Sequence, residues 1–125
     1  IMKYVAFFFL LITFSCKSQT NDCSKFKTGT FKYLDQNNVE TTIVRTDSIQ
    51  TEFNDYNDIK IISKVNWVSD CEFVLTYKDI LNYSNKENVI GEKINVKILE
   101  PKEHSYVCHF KSNTLDSKIE ITKIE

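Results

Sequence analysis

Few residues in this chain are equipped for covalent or metal chemistry, and their spacing argues against most of it. His104 and His109 are the only histidines. They stand across an expected turn and strand, with no His-Glu-x-x-His or Cys-x-x-Cys arrangement that would converge on a metal. Asp70 beside Cys71 has the form of an acid helping a nucleophile, but such a site also needs a positioned base and oxyanion donors. The triplet "SDC" is better explained as a tight turn. Asp55 and Asp58, with Asn54 and Asn57, offer oxygens to calcium, yet no glycine follows where an EF-hand loop must bend. "NDYND" therefore reads as a hairpin tip. Gly29 and Gly91 lie too far apart to form a phosphate-cradling loop. No catalytic residue, metal or cofactor is expected, which leaves binding as the expected kind of function.

The elements that would position a binding site are written in strand language. β-Branched and aromatic residues alternate with polar ones, as a pleated sheet requires when successive side chains point to opposite faces. "IKIISKVNWVS" from Ile59 places Ile59, Ile61, Val65 and Trp67 on one face, against Lys60, Lys64 and Asn66. "CEFVLTYKDI" gathers Cys71, Phe73, Leu75 and Tyr77, with Glu72, Thr76 and Lys78 opposite. Ile94, Val96 and Ile98 follow, then Tyr106, Cys108 and Phe110, then Ile119 and Ile121. Earlier come "GTFKYL" at Gly29, "TTIVRT" at Thr41 and "SIQTEF" at Ser48, giving about eight strands joined by short turn-forming clusters. Neighbours in sequence should then be neighbours in the sheet, so the expected fold is all-β, an up-and-down antiparallel meander. Curling around its own core would make a small lipocalin-like barrel, and full closure would remove exposed edges. With only two glycines to ease the curl, a half-open barrel is the alternative.

Ahead of the strands stands "FFFLLITFSCKSQ". The apolar run from Tyr4 to Phe14 falls well short of the roughly 20 residues needed to span a bilayer as a helix. Lys3 precedes it and Ser15–Cys16 follows, which is the layout of a secretory signal. "ITFSC" resembles a bacterial lipoprotein box, in which the cysteine is acylated and becomes the new N-terminus. An ordinary signal peptide with Cys16 left unmodified is the alternative. Each buried acyl methylene contributes about 0.8 kcal/mol, so a multiply acylated Cys16 makes a durable anchor. The expected organisation is a signal peptide over 1–15, a lipidated tether over 16–24 and one β domain over 25–125. The expected location is the cell envelope, on the outer membrane facing the periplasm.

Export places the remaining cysteines where disulfides persist. In an alternating meander the start of the first strand and the turn between the fourth and fifth share one end, which pairs Cys23 with Cys71. Cys108 falls in mid-strand between Tyr106 and Phe110, where a free thiol behaves as a small hydrophobe. The net charge of −1 offers no basic excess to draw the chain to nucleic acid. Aromatics are the compositional excess, at 13% of residues, and they supply the candidate site. Phe31, Tyr33, Phe53, Trp67, Phe73, Tyr77, Tyr106 and Phe110 would either fill a small barrel or line a pocket for an apolar ligand. "DSI" at Asp47 to Ile49 resembles the O-glycosylation signal of exported Bacteroidota proteins, with Ser48 as acceptor.

"CSKFKTGTFKY", "RTDSIQTEFN", "IKIISKVNWVSDCEFVLTY" and "YVCHF" together resemble a family of small, uncharacterised flavobacterial lipoproteins. The resemblance extends over residues 16–125. It implies an exported, lipid-anchored domain and says almost nothing of activity. Some members carry the label DNA topoisomerase IV. A small, slightly acidic exported domain without a strand-cleaving tyrosine beside metal-binding carboxylates does not fit that chemistry. The expected role is a non-catalytic module for a small apolar ligand. The alternative is a protein-binding module, such as an inhibitor of an envelope-directed hydrolase, acting through the longest loop, "NYSNKENVIGE".

Overall fold

The computed structural model describes residues 22–125. The signal segment, Cys16 and most of the tether lie outside the described residues. Eight strands follow in order: β1 (Gly29–Leu34), β2 (Glu40–Arg45), β3 (Ile49–Phe53), β4 (Lys60–Ser69), β5 (Glu72–Leu81), β6 (Lys93–Pro101), β7 (Ser105–Lys111) and β8 (Asp116–Lys123). Each pairs antiparallel with the next and β8 pairs back to β1, so the sheet is a closed up-and-down barrel. Of the two shapes that the sequence allows, closure is the one adopted.

Alternation explains most of the interior. Phe31, Ile43, Val65, Phe73, Leu75, Ile94, Val96, Ile98, Tyr106, Cys108 and Ile121 are all buried on the inner face. Each large apolar side chain so placed contributes about 1.5–3 kcal/mol relative to exposure. Two departures from simple alternation matter for the site. In β5 the register against β4 jumps from Ile62↔Asp79 to Ser63↔Tyr77, so Lys78 is an extra, bulged residue. The bulge lets Tyr77 and Ile80 both turn inward, and Ile80 is buried, although strict alternation from Cys71 would send it outside. In β3 it is Gln50 and Glu52 that face the interior, because they pair with Arg45 and Ile43 of β2. Phe53, expected among the interior aromatics, instead lies on the outer face with the Lys60 ammonium 5.4 Å from its ring centre.

Bulges also supply the bending that two glycines could not. Beside Lys78, the register jumps at Trp67/Ser69 and Ile98/Glu100 leave Val68 and Leu99 as extra residues, and each bulge adds local twist. Gly29 is needed at the seam for a different reason. It has φ +134°, and a Cβ there would stand 2.4 Å from the Glu125 carbonyl oxygen. That close approach lets the Thr30 amide donate to Glu125 O at 2.9 Å and close the barrel.

The two ends differ. One is a floor, formed by the start of β1, the β2–β3, β4–β5 and β6–β7 turns, and a 3₁₀ turn at Ser24–Phe26. Phe26 is fully buried there, its ring 4.9 Å from that of Tyr106. Cys23 and Cys71 are bonded, with Cα atoms 5.4 Å apart, which fastens the 3₁₀ turn to the β4–β5 turn. The other end is a mouth, ringed by the 35–39, 54–59, 82–92 and 112–115 connections. "NDYND" is a hairpin tip as expected, with Asn54 Oδ1 accepting from the Tyr56 and Asn57 amides.

The disulfide closes a sequence separation of 48 residues. Loop-closure entropy for that length corresponds to about 4 kcal/mol. Reduction, or the Cys23→Ser variant, should lower unfolding stability by that order in denaturant titrations, while Cys71→Ser should match it closely. An unchanged midpoint under reductant would show that the floor holds without the bond.

Candidate functional site

The site is built from the floor upward. On β2, Thr41, Ile43 and Arg45 alternate on the inner face, so the strand carries a guanidinium into the barrel, where Arg45 is 2% exposed. A bare buried cation would cost several kcal/mol. Arg45 is instead met on every side. Its Nε donates to Gln50 Oε1 at 2.8 Å, Nη1 to the Phe26 carbonyl at 2.7 Å and Nη2 to the Tyr106 hydroxyl at 3.0 Å. The Phe31 and Phe73 rings each lie 4.7 Å from the guanidinium carbon, an arrangement favoured by the negative ring face. A planar fork with fixed donor directions suits this set of acceptors in a way a lysine ammonium would not.

Above Arg45 the barrel interior holds a cavity of about 190 Å³. Its walls are mostly apolar, from Ile43, Ile61, Phe73, Leu75, Ile94, Val96, Phe110, Ile119 and Ile121, with Leu115 of the 112–115 turn toward the mouth. The polar lining is Tyr33, Gln50, Glu52, Tyr77, Tyr106 and Cys108, with Arg45 beneath. Mostly apolar walls with a few convergent polar groups are the usual make-up of a small-molecule site.

Glu52 is the unusual member. Its carboxyl points inward and is only half-buried, because one side meets the cavity. The Tyr33 hydroxyl donates to Oε1 at 3.5 Å, a long bond. Burial raises the Glu52 carboxyl above its ordinary value, with the Arg45 charge and the Tyr33 bond opposing. The same surroundings act on the neighbouring hydroxyls. Burial, then the Glu52 charge, pushes Tyr33 up and carries Tyr77 to about 12. Burial pushes the Cys108 thiol up to about 12 against the pull of Arg45. That thiol is a packed wall group with no tendency to ionise near neutral pH.

Five of the eight aromatics expected at a site line this cavity: Tyr33, Phe73, Tyr77, Tyr106 and Phe110. The other three lie elsewhere. Phe31 is buried in the floor against Arg45 and Tyr106, Phe53 is on the outer face, and Trp67 packs on Phe73 with ring centres 4.5 Å apart and Lys27 over its ring. Ser48 sits on the exposed β2–β3 turn. Both histidines lie outside the cavity. His104 is exposed on the β6–β7 turn beside Glu103, and His109 is on the outer face of β7, bonded to Asp116. The sequence reading missed Arg45, Gln50 and Glu52. The signal for Arg45 was its spacing from Ile43, whereas nothing within "SIQTEF" singles out its polar face as the inner one.

One further opening lies at the side of the barrel. The β1–β8 ladder spans two residue pairs, Phe31↔Lys123 and Lys32↔Thr122. From there toward the mouth a groove lined by Tyr33, Leu34, Lys118 and Ile119 runs along the seam. Tyr33 and Ile119 line both this groove and the cavity, so the seam is the thinnest part of the wall. Comparison of the chain with family models, with curated proteins and with solved structures yields no match.

Two outcomes follow from the buried charges. Arg45→Ala removes three hydrogen bonds and strands buried acceptors, so it should cost about 3–5 kcal/mol of unfolding free energy; Arg45→Lys should recover only part of it. A loss below about 1 kcal/mol would mean the floor repacks freely. Glu52 holds its proton more tightly folded than unfolded. The associated stability is full below the ordinary value of 4.5 and is lost as pH rises through the folded value. Denaturation measured in steps upward from pH 4.5 should show wild-type stability declining, and Glu52→Gln should remove that slope.

Proposed function

We propose that this protein is a non-catalytic binding module of the bacterial envelope, lipid-anchored through Cys16, that holds a compact, largely apolar molecule inside its barrel. The observation that carries the reading is the partly open cavity inside the barrel, with apolar walls and a small set of polar groups among them. Its volume limits what it takes. An apolar cavity of about 150 Å³ accommodates benzene, so about 190 Å³ suits a single substituted ring or a short branched chain. Long acyl chains are too large. A non-catalytic role is supported by the position of both histidines outside the cavity and by a thiol held protonated within it.

Anchoring by Cys16 rests on its lipoprotein box. Residue 22 enters at the floor. Cys23, seven residues after Cys16, is fixed at the floor by its bond to Cys71, and seven residues reach at most about 25 Å, so the floor would face the membrane and the mouth would face away. Exposed apolar side chains crowd that mouth: Leu34, Tyr56, Leu81, Tyr83, Ile90 and Leu115. This rim favours a second reading, in which the mouth docks on an envelope protein such as a hydrolase. The 82–92 loop belongs to the rim but is not a free arm. Gly91 N donates to Tyr77 O at 2.8 Å and Tyr77 N to Glu92 O at 3.0 Å, and Asn82 Nδ2 donates to Asp58 O at 2.8 Å.

The test is a native mass spectrum of the domain secreted from its own host with Cys16→Ser to keep it in solution. The expected result is a second species heavier by roughly 100–200 Da, as the cavity comparison implies. A bare domain that also takes up no small aromatic probe at millimolar concentration would overturn the carrier reading and favour the docking one.

A further inference from the structure

The polar groups around the cavity differ in what they still have to offer. Arg45 is buried beneath it, with three of its five N–H groups donating to Gln50, Phe26 and Tyr106 and the Phe31 and Phe73 rings each 4.7 Å from its guanidinium carbon. Gln50 Oε1 and the Tyr106 hydroxyl are acceptors for that same guanidinium. Cys108 is buried. An anionic ligand group would therefore meet a cation whose hydrogen bonds are already largely spent within the floor. Glu52 is in the opposite position. An ionised carboxylate accepts about four hydrogen bonds, and Glu52 receives the long 3.5 Å contact from Tyr33.

We propose that the ligand is a primary amine on a compact apolar body, such as an arylalkylamine, its ammonium seated against the Glu52 carboxylate with the Tyr33 and Tyr77 hydroxyl oxygens completing its acceptors. This rests on the carrier reading and names the chemical class of its cargo. Three considerations converge on it. An ammonium brings three N–H donors and no acceptor, matching a carboxylate flanked by two phenol oxygens. The Tyr33 and Tyr77 rings border the same space, and aromatic faces attract a desolvated cation. A ring on a two-carbon arm also suits about 190 Å³.

Charge balance favours the same class. Burial favours a proton on Glu52, leaving Arg45 as the interior's net charge. An incoming ammonium replaces that proton, so the interior keeps the same net charge while one proton goes to solvent. The groups facing Glu52 from the neighbouring strands are Tyr33 on β1, Arg45 on β2, Tyr77 on β5, and Tyr106 and Cys108 on β7, and the cavity-lining residues of β4, β6 and β8 are apolar. Tyr77 and Cys108 titrate at about 12, and Tyr33 and Tyr106 are raised above the ordinary phenol value. Glu52, raised above its ordinary 4.5, is thus the first of these cavity groups to lose its proton as pH rises, and amine affinity should climb with pH above that ordinary value.

The experiment is a titration of 2-phenylethylamine, 2-phenylethanol, 3-phenylpropanoate and toluene into the folded domain, followed by methyl NMR shifts of the cavity isoleucines. At pH 7.5 the amine should bind about tenfold or more tighter than the alcohol, as a charge-assisted contact is roughly twice as strong as a neutral one. The acid should bind weakest. Glu52→Gln should erase the amine's advantage and leave toluene binding in place. Tyr77→Phe should reduce the amine preference about threefold, and the wild-type pH profile gives a reading that needs no variant. Amine and alcohol binding alike, a preferred acid, or amine affinity flat with pH would overturn the amine assignment while toluene binding preserves the carrier. Failure of all four probes in the wild type would overturn both.

Discussion

The buried guanidinium of Arg45 is the constraint on which the rest of the molecule is arranged. A cation held inside a small barrel must have its donors met and its faces covered, or the chain will not close around it. Meeting them recruits a carbonyl from the 3₁₀ turn at Ser24–Phe26, an amide from β3 and a hydroxyl from β7, while β1 and β5 supply the rings. The 3₁₀ turn can serve only if it is fixed beneath the barrel, and the Cys23–Cys71 bond fixes it there. One side chain thus ties four strands and the N-terminal segment into a single floor.

That floor determines what the cavity above it can be. Once Gln50 and Tyr106 are committed to Arg45, Glu52 is left as the group with unspent hydrogen-bonding capacity at the level of the cavity. Its carboxyl experiences two opposing influences, burial raising its proton affinity and the Arg45 charge lowering it, and burial prevails. Apolar walls strengthen every electrostatic contact inside. A site of this kind discriminates among small molecules mainly by charge and size, since its walls contribute nearly the same to any ring.

Closure of the barrel is uneven for a related reason. Three bulges and one glycine bend the sheet enough to bring β8 to β1, but the two strands join firmly only near the floor, where Thr30 bonds to Ile124 and Glu125. Toward the mouth the seam loosens into a groove with Tyr33 and Ile119 on the inner side. The half-open alternative read from the shortage of glycines is not the shape adopted, and the seam keeps only a groove along the closed wall.

Residue alternation in the chain was enough to determine the strands, their order, the meander and the side on which Ile94, Val96, Tyr106 and Cys108 would be found. It also placed Cys23 and Cys71 at one end, since antiparallel hairpins fix which turns share an end. What the tertiary structure alone decided was the polarity of the interior. Within β3, Ile49 and Phe53 look like the inner face, and only pairing with β2 sends Gln50 and Glu52 inward instead. Lys78 likewise looks like one more outward lysine until its bulge turns Ile80 into the core. Alternation in a strand specifies two faces but does not by itself say which is inside; the register against neighbouring strands does, and register is a property of the closed barrel.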